Sequence, residues 1–449
     1  MNDIRETYVI TSAVYGAGIN NKFYHSLKNY CEYNNAELII LPLKVHNNDE
    51  EKLSKKLNHE NILTGDYKLN NKIGIKDFGV KPQQIRPLTG LDRFIKRDGS
   101  AIIASTKQHL RFCASSNEKM PKILMTTGTI TKPNYNLNNR IGRIALHDHE
   151  YGAVVVEVIN DKMYHTRLLT ANTNGKFYDF DTLYKPKGIT TDLRPLLFAP
   201  GDWHTGETDE KVKLETLVMA QEYKPEILLL NDFMSSRSMN HHDLDNIISQ
   251  YNNFQKNNLS LENELQQCVD DLLLFRKANP DMKIVIVKSN HDEALYRYLN
   301  EGRFINEPQN VLIGSKLLYE TLQGSDPLQK GLEYIANKYK KDFGDILFLQ
   351  RDDDYRVKGI YCSNHGDKGK NGSKLSILSS RRDYEKSLTG HSHSGFKEGQ
   401  AFGLGTSTPL VLDYSKGGTS NWSNTHGFIY SNGKVQLVNV INGYHRGFK

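Results

Sequence analysis

The sequence predicts an α/β protein, with a mixed α/β unit over residues 1–190 and a second α/β unit over 191–449. Three observations predict it. Short apolar runs, Leu196-Leu197-Phe198-Ala199, Ile227-Leu228-Leu229-Leu230 and Ile284-Val285-Ile286-Val287, read as buried strands. Helical patterns lie between them: Asp209 to Gln221, with Val212, Leu214, Leu217, Val218 and Met219 apolar, and His242 to Lys277, with a Leu261, Leu265, Cys268, Val269, Leu272 stripe. The chain also opens on a β-α-β pattern. Such alternation builds parallel strands through right-handed crossovers, and the 30 residues between Asp202 and Asp232 (232 − 202) leave room for one.

The opening pattern is a strand over residues 8–14, a helix face of Phe23, Leu27, Tyr30 and Cys31, and a strand Leu38-Ile39-Ile40-Leu41 stopped at Pro42. Gly16-Ala17-Gly18 lacks the third glycine of a dinucleotide fingerprint, since position 21 is Asn21, and reads as a permissive turn. Residues 46–80 form a polar excursion, and the apolar series from Ile102 to Val156 is β-rich. His147-Asp148-His149-Glu150 offers metal-type side chains, but without further ligands at metal-site spacing it reads as a polar turn. Lys185-Pro186-Lys187-Gly188 marks the boundary near residue 190.

In the second unit, residues 294–343 read as a helical insertion broken at Gly324-Ser325-Asp326-Pro327. Val357 to Cys362 reads as one strand, Asp352-Asp353-Asp354 as a turn before it, and Leu410-Val411-Leu412 as another strand. Asn432-Gly433 signals a two-residue hairpin between the last two strands.

Composition fits a globular chain of 449 residues, 38% hydrophobic and 24% charged, large enough for two or three domains. A net charge of +6 is compatible with a polyanionic partner without requiring one. Met1 to Glu6 has no apolar signal core, no run approaches a membrane span, and Cys31, Cys113, Cys268 and Cys362 are scattered. The expectation is a cytoplasmic protein with reduced thiols and no membrane partner.

The chemistry gathers where strands stop. The first run leads to Asp202-Trp203-His204, the second to Asn231-Asp232, the third to Ser289-Asn290-His291-Asp292, and the fourth to Asn364-His365-Gly366; Gly390-His391-Ser392-His393 follows. Carboxylate oxygen combined with imidazole suits a hydrolytic divalent cation, and ligands of α/β folds collect beyond the carboxyl ends of strands. This ordered set resembles the calcineurin-like metallophosphoesterase superfamily over roughly residues 195–449, with the SbcD-type nucleases as the nearest branch. The N-terminal part, including Leu124-Met125-Thr126-Thr127-Gly128, resembles the leading part of phage-encoded metallophosphoesterases that include host-DNA-degrading DNases.

The resemblance implies a two-sheet αββα metallophosphoesterase sandwich behind an N-terminal mixed α/β domain. It implies one divalent ion held by Asp202, His204, Asp232 and His393 and a second held by Asp232, Asn290, His365 and His391. Manganese is the foremost expectation, with magnesium or another divalent ion as alternatives. His291 would be the catalytic non-ligand histidine and Asp292 its orienting carboxylate. Asn231 and Ser289 stand where the family carries glycine, and residues 232–238 lack the signature of protein phosphatases. The implied activity is hydrolysis of DNA phosphodiesters. A small-molecule or RNA phosphodiesterase, and a nucleic-acid-binding regulator with a vestigial metal site, stay open as alternatives. Lys368, Lys370, Lys374, Arg381, Arg382 and Lys386 would suit a DNA backbone, or form a solvated loop. A homo-oligomer is left open.

Overall fold

The computed structural model describes residues 6–44, 52–95, 99–115, 121–239, 246–412 and 417–447. Glu6–Val14 and Glu37–Leu43 pair in parallel, joined by the helix Asn21–Asn34, which Asn20 caps by accepting the Phe23 N–H. Phe23, Leu27, Tyr30 and Cys31 are buried. The second strand continues through Pro42 to Leu43 instead of stopping at it. On that strand's other side the neighbour Asn61–Ile62 pairs only with Ile39 and Ile40, so the proline lies at an open edge, where a missing N–H is tolerated. Gly152–Val158 and Tyr164–Thr170 complete this five-stranded sheet in antiparallel pairing.

The second half is built on a six-stranded sheet. Its order is Ile346–Phe348, Lys283–Ile286, Ile227–Leu230, Leu197–Ala199, Thr425–Ile429, Val435–Asn439. The first four strands are parallel. Period-2 alternation divides their side chains. Phe198, Leu228, Leu230, Ile284 and Ile286 face a core shared with the helices Glu210–Tyr223, Leu261–Ala278 and Asn290–Asn300. Leu197, Ala199, Leu229 and Val285 face a separate core shared with Val357, Ile360, Leu388 and Phe402 of another sheet. Helices, sheet and sheet are thus stacked in that order.

That other sheet has ten strands and crosses position 190. It runs Arg356–Val357, Ile360–Tyr361, Ser387–Thr389, Ala401–Gly403, Phe396–Glu398, His109–Cys113, Lys122–Thr126, Ser100–Ile103, Ile73–Ile75, Tyr67–Lys68. The join is the antiparallel register of Phe396 with Arg111 and Glu398 with His109. Beneath it the buried Lys397 ammonium lies 2.8 Å from Glu150 Oε2 and 3.1 Å from Gln108 Oε1.

Three further sequence expectations change. Val357–Cys362 is not one strand: Lys358 and Gly359 take positive φ of 51° and 77° and fold it into a small hairpin. Leu410–Leu412 is not a strand. The long helical pattern is two helices, Ile247–Gln255 and Leu261–Ala278, while residues 242–245 at its start, like 46–51 in the polar excursion, lie outside the described residues. Among the described residues no helix is long and apolar enough to cross a membrane.

Candidate metal centre

Three parallel strands of the six-stranded sheet deliver Asp202, Asp232 and Asn290 just past their carboxyl ends. The parallel pair Ile360–Tyr361 and Ser387–Thr389 of the other sheet delivers His365, His391 and His393. Backbone bonds stitch these loops together. Trp203 and His204 donate their N–H groups to the carbonyls of Asn231 and Asp232 at 3.0 and 2.8 Å, and Gly390 donates to His365 at 2.7 Å. Four of the assembled residues, His204, Asp232, His391 and His393, have φ of 48°, 44°, 66° and 53°. Left-handed backbone without glycine costs about 1–3 kcal/mol per residue and gathers at functional sites. Gly390 is required for a different reason: a Cβ there would lie 2.1 Å from Asp202 Oδ1.

The ligand-type atoms converge in two groups. Asp202, His204, Asp232 and His393 offer atoms that all lie within 4.8 Å of one another, and so do Asp232, His365 and His391; Asp232 belongs to both. Individual separations are 3.6 Å from His204 Nε2 to Asp232 Oδ2, 3.4 Å from His393 Nε2 to Asp202 Oδ2, and 3.0 Å from His365 Nε2 to Asp232 Oδ2. Asn290 is the first residue of the helix Asn290–Asn300, and its Oδ1 is buried without a partner. Asp202 Oδ1, Asp232 Oδ1, His204 Nδ1, His365 Nδ1 and His393 Nδ1 are likewise buried and unpartnered.

Unpaired buried lone pairs are costly. The protonation equilibria show the conflict. Burial, reinforced by the Asp232 charge, pushes the Asp202 carboxyl up to about 8. Burial works against a charged His365, yet the Asp232 and Asp202 carboxylates raise it to about 9. Burial pushes His393 down to about 4 and His204 well below the ordinary imidazole range. Two acids and several imidazoles are therefore crowded together, and without an added cation their balance rests on protons held by Asp202 and His365. A donor set of two carboxylates, four imidazoles and one amide oxygen fits two divalent cations sharing one carboxylate.

His291 lies beside these groups rather than among them. Its Nδ1 is 2.7 Å from the Ser235 carbonyl, and its ring centroid is 4.7 Å from that of His204. Burial opposes its charged form, but the Asp232 carboxylate and the Ser235 carbonyl outweigh burial and raise its pKa. Asp292 does not orient it. Asp292 Oδ2 accepts from the Ser289 N–H at 2.8 Å and the Ser289 hydroxyl at 3.0 Å, closing a capping box at the start of the helix. The residue replacing a family glycine at 289 is therefore the N-cap, and the orienting partner of His291 is a backbone carbonyl.

Other sequence candidates fall outside the centre. His149 is held by Tyr135 and the Thr131 carbonyl at 2.8 and 2.9 Å, and Glu150 by Lys397, so residues 147–150 are structural. Arg381, expected in the basic stretch, is tied to Asp148 and lies 3.5 Å from Glu398; Lys368 is 2.7 Å from Glu293. One neighbour of the centre escaped the sequence reading. Trp422 places its ring centroid 4.5 Å from that of His393. It belongs to no spacing motif.

Among curated proteins, the chain is 25% identical to Protein A1 of Escherichia phage T5 over 467 aligned positions, which cover 97% of this chain and 82% of that protein. No protein-family model matches the chain, and no solved structure matches it.

Proposed function

We propose that this chain is a two-metal phosphodiesterase of the calcineurin-like metallophosphoesterase type, and that it hydrolyses DNA phosphodiester bonds. The observation that carries the reading is Asp232, common to both groups of ligand-type atoms. The face-to-face packing of two sheets beneath a helical layer supports the sandwich of that family. The likeness to a phage T5 protein supports a phage-related role, and we infer host DNA in the host cytoplasm as the substrate.

Asp202, His204, Asp232 and His393 would hold one divalent cation, and Asp232, Asn290, His365 and His391 the other. Bound there, the pair supplies Lewis acidity to phosphoryl oxygens and lowers the pKa of an attacking water. The chain's own contributions are separate. The Ser235 carbonyl can only accept, so His291 Nδ1 donates to it, leaving Nε2 as the atom free to serve the leaving oxygen. The backbone bonds from Trp203, His204 and Gly390 fix the loops so that the carboxylates and imidazoles are preorganised.

The test is cleavage of plasmid and linear DNA by the purified chain with Mn²⁺ or Mg²⁺, beside a bis-nitrophenyl phosphate and an RNA of matched length. Chelator-sensitive cleavage of DNA is expected. DNA binding without hydrolysis of any phosphodiester in either metal would overturn the reading, and hydrolysis of RNA or the small ester alone would overturn the DNA assignment.

A further inference from the structure

Two carboxylates are buried on the helix Leu261–Ala278, and neither belongs to the two groups of ligand-type atoms. Glu264 and Asp271, 5% and 3% exposed, lie seven residues apart, so both look out from one face of the helix. Acidic side chains are rarely this deep unless partners hold them there. Here the partners come from two loops beside the centre.

Asp271 Oδ2 accepts from the Trp203 indole N–H at 2.8 Å and from the Thr205 hydroxyl at 3.1 Å. These residues stand on either side of His204, whose φ is 48°. Lys213, from the helix Glu210–Tyr223, pairs with the other oxygen. Glu264 repeats the arrangement one loop away. Its Oε1 accepts from the Ser235 hydroxyl at 2.8 Å and the Arg237 N–H at 3.0 Å, and its Oε2 from the Ser238 N–H at 3.0 Å. Ser235 and Arg237 stand on either side of Ser236, whose φ is 60°. In both loops a carboxylate grips the neighbours of a left-handed residue that is not glycine. Such backbone is strained and persists only where its surroundings over-determine it.

The two loops serve different residues. The turn at 203–205 aims the His204 imidazole, whose Nε2 is 3.6 Å from Asp232 Oδ2. The loop at 235–238 aims His291. The Ser235 carbonyl lies 2.7 Å from His291 Nδ1, and the Ser236 hydroxyl donates to the His291 carbonyl at 2.7 Å. We propose that Asp271 and Glu264 are positioning residues for the two halves of the site, Asp271 setting the ligand His204 and Glu264 setting the leaving-group histidine His291. The proposal rests on the two-metal reading above. One helix thereby holds metal binding and proton delivery in a common frame, and such constellations work only when held within about 0.5 Å of the productive geometry.

Two double-mutant cycles test it, read by Mn²⁺ titration of the chelated chain and by turnover, with far-UV circular dichroism as the check on folding. The wild type is expected to bind two equivalents. Asp271→Ala is expected to weaken one of them about 10–100-fold and spare the other. In a His204→Ala background the same change should cost nothing more. Trp203→Phe with Thr205→Val removes both donors while keeping apolar bulk, and is expected to weaken the same ion even if Asp271→Ala fails to fold. Lys213→Met breaks the contact between helices but leaves both turn bonds, so it should lower stability without changing Mn²⁺ affinity. Glu264→Gln keeps the shape but turns an NH₂ group against one of the loop N–H donors. It is expected to keep both ions, to lower DNA turnover about 10–100-fold and that of a nitrophenyl diester much less, and to add nothing once His291 is replaced by Ala. Unchanged Mn²⁺ affinity in folded Asp271→Ala, losses that add to those of His204→Ala or His291→Ala, or equal losses on both substrates in Glu264→Gln would overturn the proposal and leave the two-metal reading intact. A wild type that holds no Mn²⁺ would overturn both.

Discussion

Arg167 and Asp232 each lie at the centre of a buried charged cluster, yet only one cluster is complete. The Arg167 guanidinium meets both oxygens of Asp179 at 2.6 and 2.8 Å, Glu157 at 2.8 Å and the Tyr30 hydroxyl at 3.0 Å. Tyr30 and Gln436 bond Asp179 in turn. Around Asp232 the opposite holds, with carboxylate, imidazole and amide atoms buried and unpartnered. The comparison separates two uses of buried polarity: a closed network holds elements together, and an open one is shaped for something the chain does not itself supply.

The largest expected difference is in stability. Arg167→Ala strands the buried Asp179 and is expected to cost about 3–5 kcal/mol in chemical denaturation. Asp202→Asn keeps an oxygen for the His391 N–H, a 2.7 Å bond, and mimics the protonated carboxyl that a pKa of about 8 maintains in the metal-free chain. In chelated protein it is expected to cost nothing or to stabilise. A loss as large as that of Arg167→Ala would mean that the Asp202 cluster is also closed.

Catalysis should respond next. His291→Ala removes a titratable group set beside the ligands with its Nδ1 already bonded, so turnover on DNA is expected to fall roughly 10²–10⁴-fold. Metal content should stay unchanged. A nitrophenyl diester, whose leaving group needs little protonation, should lose much less. Loss of metal from the variant would make His291 a ligand instead.

Acidity sharpens the contrast within the open cluster. With Asp202 at about 8, the metal-free folded state keeps a proton that the unfolded chain releases at ordinary carboxylate pH, so stability falls as pH rises toward 8. His365, raised to about 9, contributes stability below its ordinary value near 6.5 that disappears as pH rises through 9. Both act in one direction. The depressed His204 and His393 act the other way only up to about pH 6.5, so the melting temperature of chelated protein should drop between about pH 7 and 9, and Mn²⁺ should shrink that drop, because metal displaces these protons. A drop of the same size with and without metal would show that the cluster is not the metal site.

The smallest effect is expected at the surface. Arg382 is exposed and Lys386 half-exposed, whereas Arg381 is tied to Asp148. Arg382→Ala with Lys386→Ala should weaken DNA binding and lower its salt slope by about one per lost phosphate contact. Arg381→Ala should instead lower thermal stability. An unchanged slope in the double variant would make the stretch a solvated loop.

Asp202, Asp232 and Asn290 were legible because each follows a short apolar strand, and strand ends leave a local signature. The ten-stranded sheet was not, because the pairing of Phe396 with Arg111 joins residues far apart in the chain and leaves no periodicity. The turn at Lys358-Gly359 was hidden inside an apolar alternation, although its glycine was a usable signal. Ser289-x-x-Asp292 did carry a capping-box pattern, and reading it would have assigned Asp292 to the helix rather than to His291. Trp422 had no such signal, since its nearness to His393 comes from a loop whose Ser423 N–H bonds the His393 carbonyl at 2.9 Å.

The central claim is that Asp232 is shared by two metal ions, and metal stoichiometry tests it most directly. After equilibrium dialysis against Mn²⁺, elemental analysis of the wild-type chain is expected to give about two equivalents, as for other paired-metal centres. His393→Ala, which trims one ligand group, should retain about one, and Asp232→Ala, which breaks both groups, should retain the least. Two full equivalents in the Asp232 variant, or saturation of the wild type at one, would contradict the shared carboxylate.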